Sequence, residues 1–128
     1  MTRPGKSTPP SLIQSFAYAF EGLREAFRQG RNIRIQMGAA LVAVAMGFIL
    51  DIDALEWVLV VFCIGGVLGA ECFNTSFEDV VDIACPALHP KAKAAKDLAA
   101  AGVLAFSAAS LIIGIIIFLP RIIHALGW

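Results

Sequence analysis

Leu98–Leu119 reads LAAAGVLAFSAASLIIGIIIFL and contains no charged residue. A helix of roughly 22 such residues is long enough to cross a bilayer. Charge returns at once on its N-terminal side, as Lys96 and Asp97. The preceding apolar run ends in a similar way, with Glu71, Asn74, Glu78 and Asp82. An ionisable side chain at the centre of a membrane helix costs about 2.5–3.5 kcal/mol on insertion scales, and less near the interface. Several such residues at one membrane level point to charged chemistry done at the membrane surface.

The rest of the composition agrees. Of 128 residues, 59% are hydrophobic and 16% charged, and the formal net charge is zero. A soluble domain carries about 45–50% apolar and about 25% charged residues. The chain reads as a membrane protein, with residues 11–128 forming one integral-membrane domain. Residues 1–10 are polar and rich in Pro, Ser and Thr, and read as a flexible N-terminus without the apolar core of a signal peptide. No nucleic-acid partner is expected. Cys63, Cys72 and Cys85 form no C-x-x-C pair, so neither a disulfide framework nor a zinc site is expected.

Working outward, four segments emerge. Between Ser11 and Gln29, the residues Leu12, Phe16, Ala19, Phe20, Leu23 and Phe27 recur at steps of three and four. That spacing puts them on one helical face, with Glu21, Arg24, Glu25 and Arg28 largely on the other. Residues 11–29 are therefore expected to form an amphipathic helix lying in the membrane interface. A first span covers about residues 33–50. A second segment, 55–84, is purely apolar only to Ala70 and then continues its helical pattern through the polar set. It is too long for a span alone, so its end should protrude. Cys85-Pro86 breaks it, because the residue before a proline disfavours the helical region. The third span, 96–119, is opened by Lys96 and Asp97 and stopped by Pro120. The fold class is an all-α membrane protein with an N-terminal amphipathic surface helix and three transmembrane helices.

Charge asymmetry sets the expected orientation. Arg3, Lys6, Arg24, Arg28, Arg31 and Arg34 precede the first span, and Lys91, Lys93 and Lys96 lie between the second and third. Only Asp51, Asp53 and Glu56 lie between the first two. The positive-inside rule places the N-terminus in the cytoplasm and the C-terminus outside. No internal repeat is present, which disfavours an inverted-repeat transporter. The carboxylates also gather at one end of the second span, whereas a small multidrug-type transporter would carry one mid-span. Gly65 and Gly69 form a small-xxx-small pair beside Gly66, a pattern of close helix packing or oligomerisation.

On a helix turning about 100° per residue, Glu71, Asn74, Glu78 and Asp82 fall at roughly 0°, 300°, 340° and 20°. They make one polar stripe that begins at membrane depth and climbs out. Glu71 is the deepest carboxylate and the candidate proton acceptor. Asn74 would orient a substrate or bond a neighbouring helix. Glu78 and Asp82, one turn apart, suit Mg²⁺, which takes one or two carboxylates plus phosphate oxygens. Lys96 is a point charge suited to phosphate, and Asp97 suits a helix start. His89 lies in the intervening loop. Metal carboxylates, a phosphate-binding lysine and a deeper base together describe phosphoryl transfer. No glycine-rich Walker loop is present, so any nucleotide site is of another kind.

The run Glu71-Cys-Phe-Asn74-Thr75-Ser-Phe-Glu78-Asp-Val-Val-Asp82, followed by His89-Pro90 and Ala95-Lys96-Asp97, resembles the small bacterial diacylglycerol kinase/undecaprenol kinase family. The resemblance extends to Tyr18 through Gly22-Leu23 and to the Leu50-Asp51-Ile52-Asp53 turn, and so spans nearly all of the chain beyond Ser11. Its His-Pro form looks closer to the undecaprenol kinase branch. It implies a homotrimer of three-span protomers in the bacterial cytoplasmic membrane. The implied activity is Mg²⁺-dependent transfer of the γ-phosphate of ATP to a lipid alcohol, undecaprenol first and diacylglycerol second. By position, Glu71 resembles the general base and Glu78 a metal ligand at the nucleotide. Asn74 and Asp82 would position reacting groups. Tyr18, Leu88, His89, Lys96 and Asp97 would contact the nucleotide. One departure stands out: Gly30-Arg31-Asn32 occupies the place where the family carries a glutamate that faces the Glu78 position as a second metal ligand. Glu25 or Glu21 could replace it after a shift of the surface helix, or water and ATP oxygens could fill the coordination sphere. The alternative reading is a family member that binds lipid or nucleotide without catalysis.

Overall fold

The structure, a computed structural model, describes residues 9–127. The expectation of a flexible N-terminus therefore lies, for residues 1–8, outside the described residues. The chain forms α1 (Leu12–Gln29), α2 (Arg31–Ile49), α3 (Ala54–Ala84) and α4 (Pro90–Ala125).

Each helix start has a local cause. At α1, the Ser11 hydroxyl accepts from the Gln14 N–H while the Gln14 side chain accepts from the Ser11 N–H. Asp53 and Glu56 make the same reciprocal arrangement at α3. Such boxes satisfy two otherwise orphaned donors at once. Gly30 is both the last cap of α1 and the first of α2, so a single extended residue separates the two helices. At α4, His89 Nδ1 accepts from the Lys91 N–H at 3.2 Å, and Pro90 takes the first helical position. Proline suits that position because its missing N–H would have had no helical partner.

Helices α2, α3 and α4 are each long and apolar enough to span a membrane. At 31 and 36 residues, α3 and α4 exceed the length a bilayer needs. Of α1, only Ala26 is buried, while Leu12, Ile13, Phe16 and Phe20 lie exposed. An apolar face left open beside spanning helices is what an interfacial helix presents to the lipid boundary.

Two boundaries differ from the sequence reading. Helix α4 begins at Pro90, nearly two turns before Lys96, because His89 and Pro90 supply the cap and the first residue. Lys96 and Asp97 therefore lie inside α4 and do not open it. Nor does Pro120 stop it: α4 runs on to Ala125. A proline removes one helical hydrogen bond and crowds the carbonyl four residues back. Here the turn beyond it is anchored. Arg121 donates to the carbonyls of Leu50 and Asp51 at 3.3 and 3.2 Å, and pairs with Glu56 at 2.5 Å.

That anchor sits on the main core. Ile52, Val60, Ile117 and Phe118 are buried together, with Met46, Trp57 and Ile113 packed around them. The turn below is tight: Asp51 adopts φ 50°, and the Ile52 N–H bonds the Gly47 carbonyl at 3.2 Å. Aspartate tolerates the left-handed region better than most side chains. A Cβ on Gly47 would lie 2.7 Å from Trp57, and one on Gly66 would lie 2.8 Å from Phe106. These two glycines are where helices approach closely within the protomer. Gly65 and Gly69, the pair singled out by spacing, face open space.

Candidate functional site

The site begins where α3 passes the start of α2. Glu71 is only 3% exposed. The Asn32 side chain, from the first turn of α2, hydrogen-bonds its carboxylate. One turn along α3, Asn74 Nδ2 donates to Glu78 Oε1 at 3.1 Å, an i,i+4 contact on the helix face. Asn74 Oδ1 is buried and has no partner among the described residues. One turn further, Asp82 forms an ion pair with Lys96 of α4. The stripe read from the sequence thus holds one bonded pair, Asn74 with Glu78, and its far end ties α3 to α4. Glu71 and Glu78 are separated by about 10 Å along the helix axis.

Beyond the stripe, the α3–α4 loop encloses a pocket of about 230 Å³ lined by Asp82, Pro86, Leu88, His89, Lys93 and Lys96, among others. Four of the candidate residues therefore share one concavity. Asp97 lies just outside it, paired with Lys93 at 2.5 Å on the exposed face of α4. An exposed i,i+4 pair is worth about 0.3–0.5 kcal/mol, so this one leaves both side chains easily recruited. Tyr18 belongs to α1 and is not among the residues lining the loop pocket.

A second concavity, about 470 Å³, separates α1 from α3 and is lined by Gly22, Glu25, Gln29, Cys72, Thr75 and Asp79, among others. Glu25 accepts hydrogen bonds from Gln29 at 2.8 Å and from Arg28 at 2.9 Å. The Gln29 bond first, and then Arg28, hold its carboxyl below the usual glutamate range. Its contacts are thus within its own helix, and it shares its groove with Asp79, not with Glu78. Among the described residues, no three His, Cys, Asp or Glu side chains converge as a metal site. The gap left by Gly30 is not filled within one protomer.

Two features of this region escaped the sequence reading. Asn32 as the partner of Glu71 was invisible, because it depends on how α2 crosses α3. The capping role of His89 was legible in principle, since a proline directly after it marks a helix start.

Comparison with known proteins fits this geometry. The model of the family described as prokaryotic diacylglycerol kinase matches residues 17–118, which include the whole stripe and the loop pocket. The undecaprenol kinase of Bacillus subtilis (strain 168) is 39% identical over 111 residues, covering 87% of this chain and 90% of the relative. A diacylglycerol kinase of Synechocystis sp. is 31% identical over 132 residues, covering 95% of this chain and 75% of the relative. The diacylglycerol kinase of Escherichia coli (strain K12) is 33% identical over 93 residues, covering 73% and 76%. With its three spanning helices and a family match over most of the chain, the chain belongs to the prokaryotic diacylglycerol kinase family of multi-pass bacterial membrane lipid kinases, phosphotransferases with an alcohol group as acceptor.

Proposed function

We propose that this chain phosphorylates undecaprenol with ATP at the cytoplasmic face of the bacterial inner membrane, using Glu71 as the general base. The observation that carries this reading is the buried Glu71 at the head of a stripe leading to Lys96 and the loop pocket. The relative at 39% identity supports the choice of lipid.

In this reading Asn32 holds the Glu71 carboxylate at the depth where a lipid hydroxyl waits. The bilayer confines that hydroxyl, which supplies proximity. Glu71 takes the hydroxyl proton as the lipid oxygen attacks the γ-phosphorus of ATP. The bond from that phosphorus to the bridging oxygen of ADP breaks in the same displacement. Lys96 leaves its exposed partner Asp82 for the phosphates, an exchange of one weak pair for a charge-assisted bond. Leu88, His89 and Asp97 border the nucleotide, and Asp82 and Asn74 position the reacting groups. Mg²⁺ fits the donor set: the Glu78 carboxylate and the unpartnered Asn74 oxygen offer two ligands, and phosphate oxygens supply others. When bound, the ion would offset charge on the transferring group.

The remaining pieces point to assembly. Gly65 and Gly69 present a bare strip of α3, and Tyr18 on α1 does not line the loop pocket of its own protomer. A homotrimer in which one protomer's α1 approaches another's stripe would unite them. The N-terminus would be cytoplasmic and the C-terminus outside. Diacylglycerol is the second reading, favoured by a polar side chain, Gln36, in the cleft below Glu71.

The test is transfer of labelled γ-phosphate from Mg-ATP to undecaprenol and to diacylglycerol side by side, with Glu71→Gln as control. Transfer that disappears in the control supports the reading, and the preferred lipid identifies the acceptor. Folded protein that transfers to neither lipid at high Mg²⁺ would be a binding protein instead.

A further inference from the structure

The pocket under the α3–α4 loop is lined by two lysines, Lys93 and Lys96, and by one carboxylate, Asp82. Asp82 is already the partner of Lys96. His89, on the same wall, spends its Nδ1 as the cap acceptor of α4. The charge of Lys93 is therefore the one that no other pocket residue answers. Its partner is Asp97, at 2.5 Å, and Asp97 does not line the pocket. Around the axis of α4, Lys93 stands about 60° from Lys96 on one side and about 40° from Asp97 on the other. It sits between the pocket and its own partner.

The pair is easily opened. Its side chains are 78% and 62% exposed, and an exposed i,i+4 pair is weak. The lysine ammonium rides on a flexible four-carbon stem. A phosphate oxygen in the pocket would offer it a charge-assisted bond in exchange. Size and lining narrow the occupant. At about 230 Å³ the pocket is smaller than the roughly 300–1,000 Å³ of sites that take a whole small molecule. Its lining includes no Phe, Tyr or Trp on which a base could stack. A short polyphosphate chain suits such a place, and a nucleobase does not.

We propose that Lys93 is a phosphate-binding residue of the nucleotide site, and that its pair with Asp97 is a latch: a polyphosphate draws the ammonium into the loop pocket and sets the Asp97 carboxylate free. The inference rests on the ATP-dependent reading and deepens it. Lys93 and Lys96, nearly one turn apart on α4, then hold the phosphate chain together. The released Asp97 becomes an acceptor for the ribose hydroxyls or the adenine amino group. One event fills the pocket and prepares the contact for the other end of the nucleotide.

The full chain in nanodiscs of zwitterionic lipid is titrated calorimetrically with inorganic tripolyphosphate, without Mg²⁺ and at fixed ionic strength. Lys93→Gln should raise the Kd about tenfold, the weight of one charge-assisted contact. Lys93→Arg should restore most of the affinity. Asp97→Asn should act in the opposite direction and tighten binding about twofold, the weight of an exposed pair. That gain should vanish in the double variant Lys93→Gln/Asp97→Asn. A purely structural pair would give two single variants that weaken binding alike or leave it unchanged. Either result overturns the inference, and so does a gain from Asp97→Asn that survives without Lys93. Transfer from Mg-ATP is measured on the same preparations. A wild type that transfers phosphate, with an unchanged tripolyphosphate Kd in Lys93→Gln, overturns the inference and leaves the kinase reading intact. A wild type that transfers to neither undecaprenol nor diacylglycerol, yet loses tripolyphosphate in Lys93→Gln, supports the inference while the kinase reading fails. A wild type that binds no tripolyphosphate overturns the inference whatever it transfers.

Discussion

The two ends of the helical bundle are built on opposite terms. At the Asp51 end, the polar groups largely answer one another: Asp53 and Glu56 cap α3, and Arg121 pairs with Glu56 and donates to the carbonyls of Leu50 and Asp51 beside a buried apolar core. At the Glu71 end, a buried carboxylate leads to an amide oxygen with no partner, an exposed ion pair and open concavities. The first end also has a concavity, about 450 Å³ beside Asp51 and Arg121, but among the described residues it is lined by no buried carboxylate and no unpartnered buried side chain. The second leaves acceptors and cations available, which is the condition for holding something the chain itself does not supply. Stability is invested at one end so that the other can remain incomplete.

The contrast can be tested from both sides. The largest effect is expected from Glu71→Gln, which should lower phosphoryl transfer by about 10²–10⁴-fold, the range for loss of a general base. Thermal unfolding of the variant should change little, since the amide keeps the shape of the side chain. A variant that unfolds early would place Glu71 among the structural residues and erase the distinction. Arg121→Ala should do the reverse. It should cost about 1–3 kcal/mol by leaving Glu56 and two carbonyls short of a donor, with kcat per folded enzyme retained. Denaturation in detergent alongside the transfer assay checks both halves.

Gly30→Glu is smaller and sharpens the metal reading. The new carboxylate would supply the second ligand that the resemblance implies opposite Glu78, and activity at limiting Mg²⁺ should rise severalfold. The backbone at Gly30 is extended, but its Cβ would meet the Ala26 carbonyl at 3.0 Å and Ile33 at 3.2 Å. A shift of a few tenths of an ångström is therefore part of the expected outcome. An unchanged Mg²⁺ dependence would rule out Gly30 as the cause of a weak metal site.

The smallest effect concerns Glu25. Its carboxyl is held below its ordinary value of 4.5, so the folded state favours the ionised form. The stability it contributes is present above pH 4.5 and fades as pH falls through the lowered value. Glu25→Gln should flatten that acid-side slope in the unfolding of α1 without altering transfer at neutral pH. A slope that persists in the variant would assign it to another group.

Much of this architecture was legible because membrane helices announce themselves by length and by the absence of charge. The stripe was legible for a different reason, since four polar residues at helical spacing can share only one face. Legibility failed where two helices meet. Asn32 and Gln36 look like ordinary polar residues at the start of a span, and only the crossing of α2 over α3 sets one beside Glu71 and the other in the cleft. Gly65 and Gly69 showed the better small-residue spacing, yet Gly47 and Gly66 make the close approaches, because bulky Trp57 and Phe106 stand opposite them. Pro120 misled in the same way. Local preference ends a helix there, and a contact with residues 65 to 71 positions away keeps it going.

Arg121 also imposes an order on synthesis. The carbonyls of Leu50 and Asp51 and the side chain of Glu56 belong to a turn made early, while their partner lies in the last two turns of α4. During translation the hairpin of α2 and α3 must wait, with those groups relying on water or headgroups, until α4 has been threaded past them. The clasp closes only on a chain translated through Arg121, so a nascent protein cut short before that residue would carry an open, recognisable end.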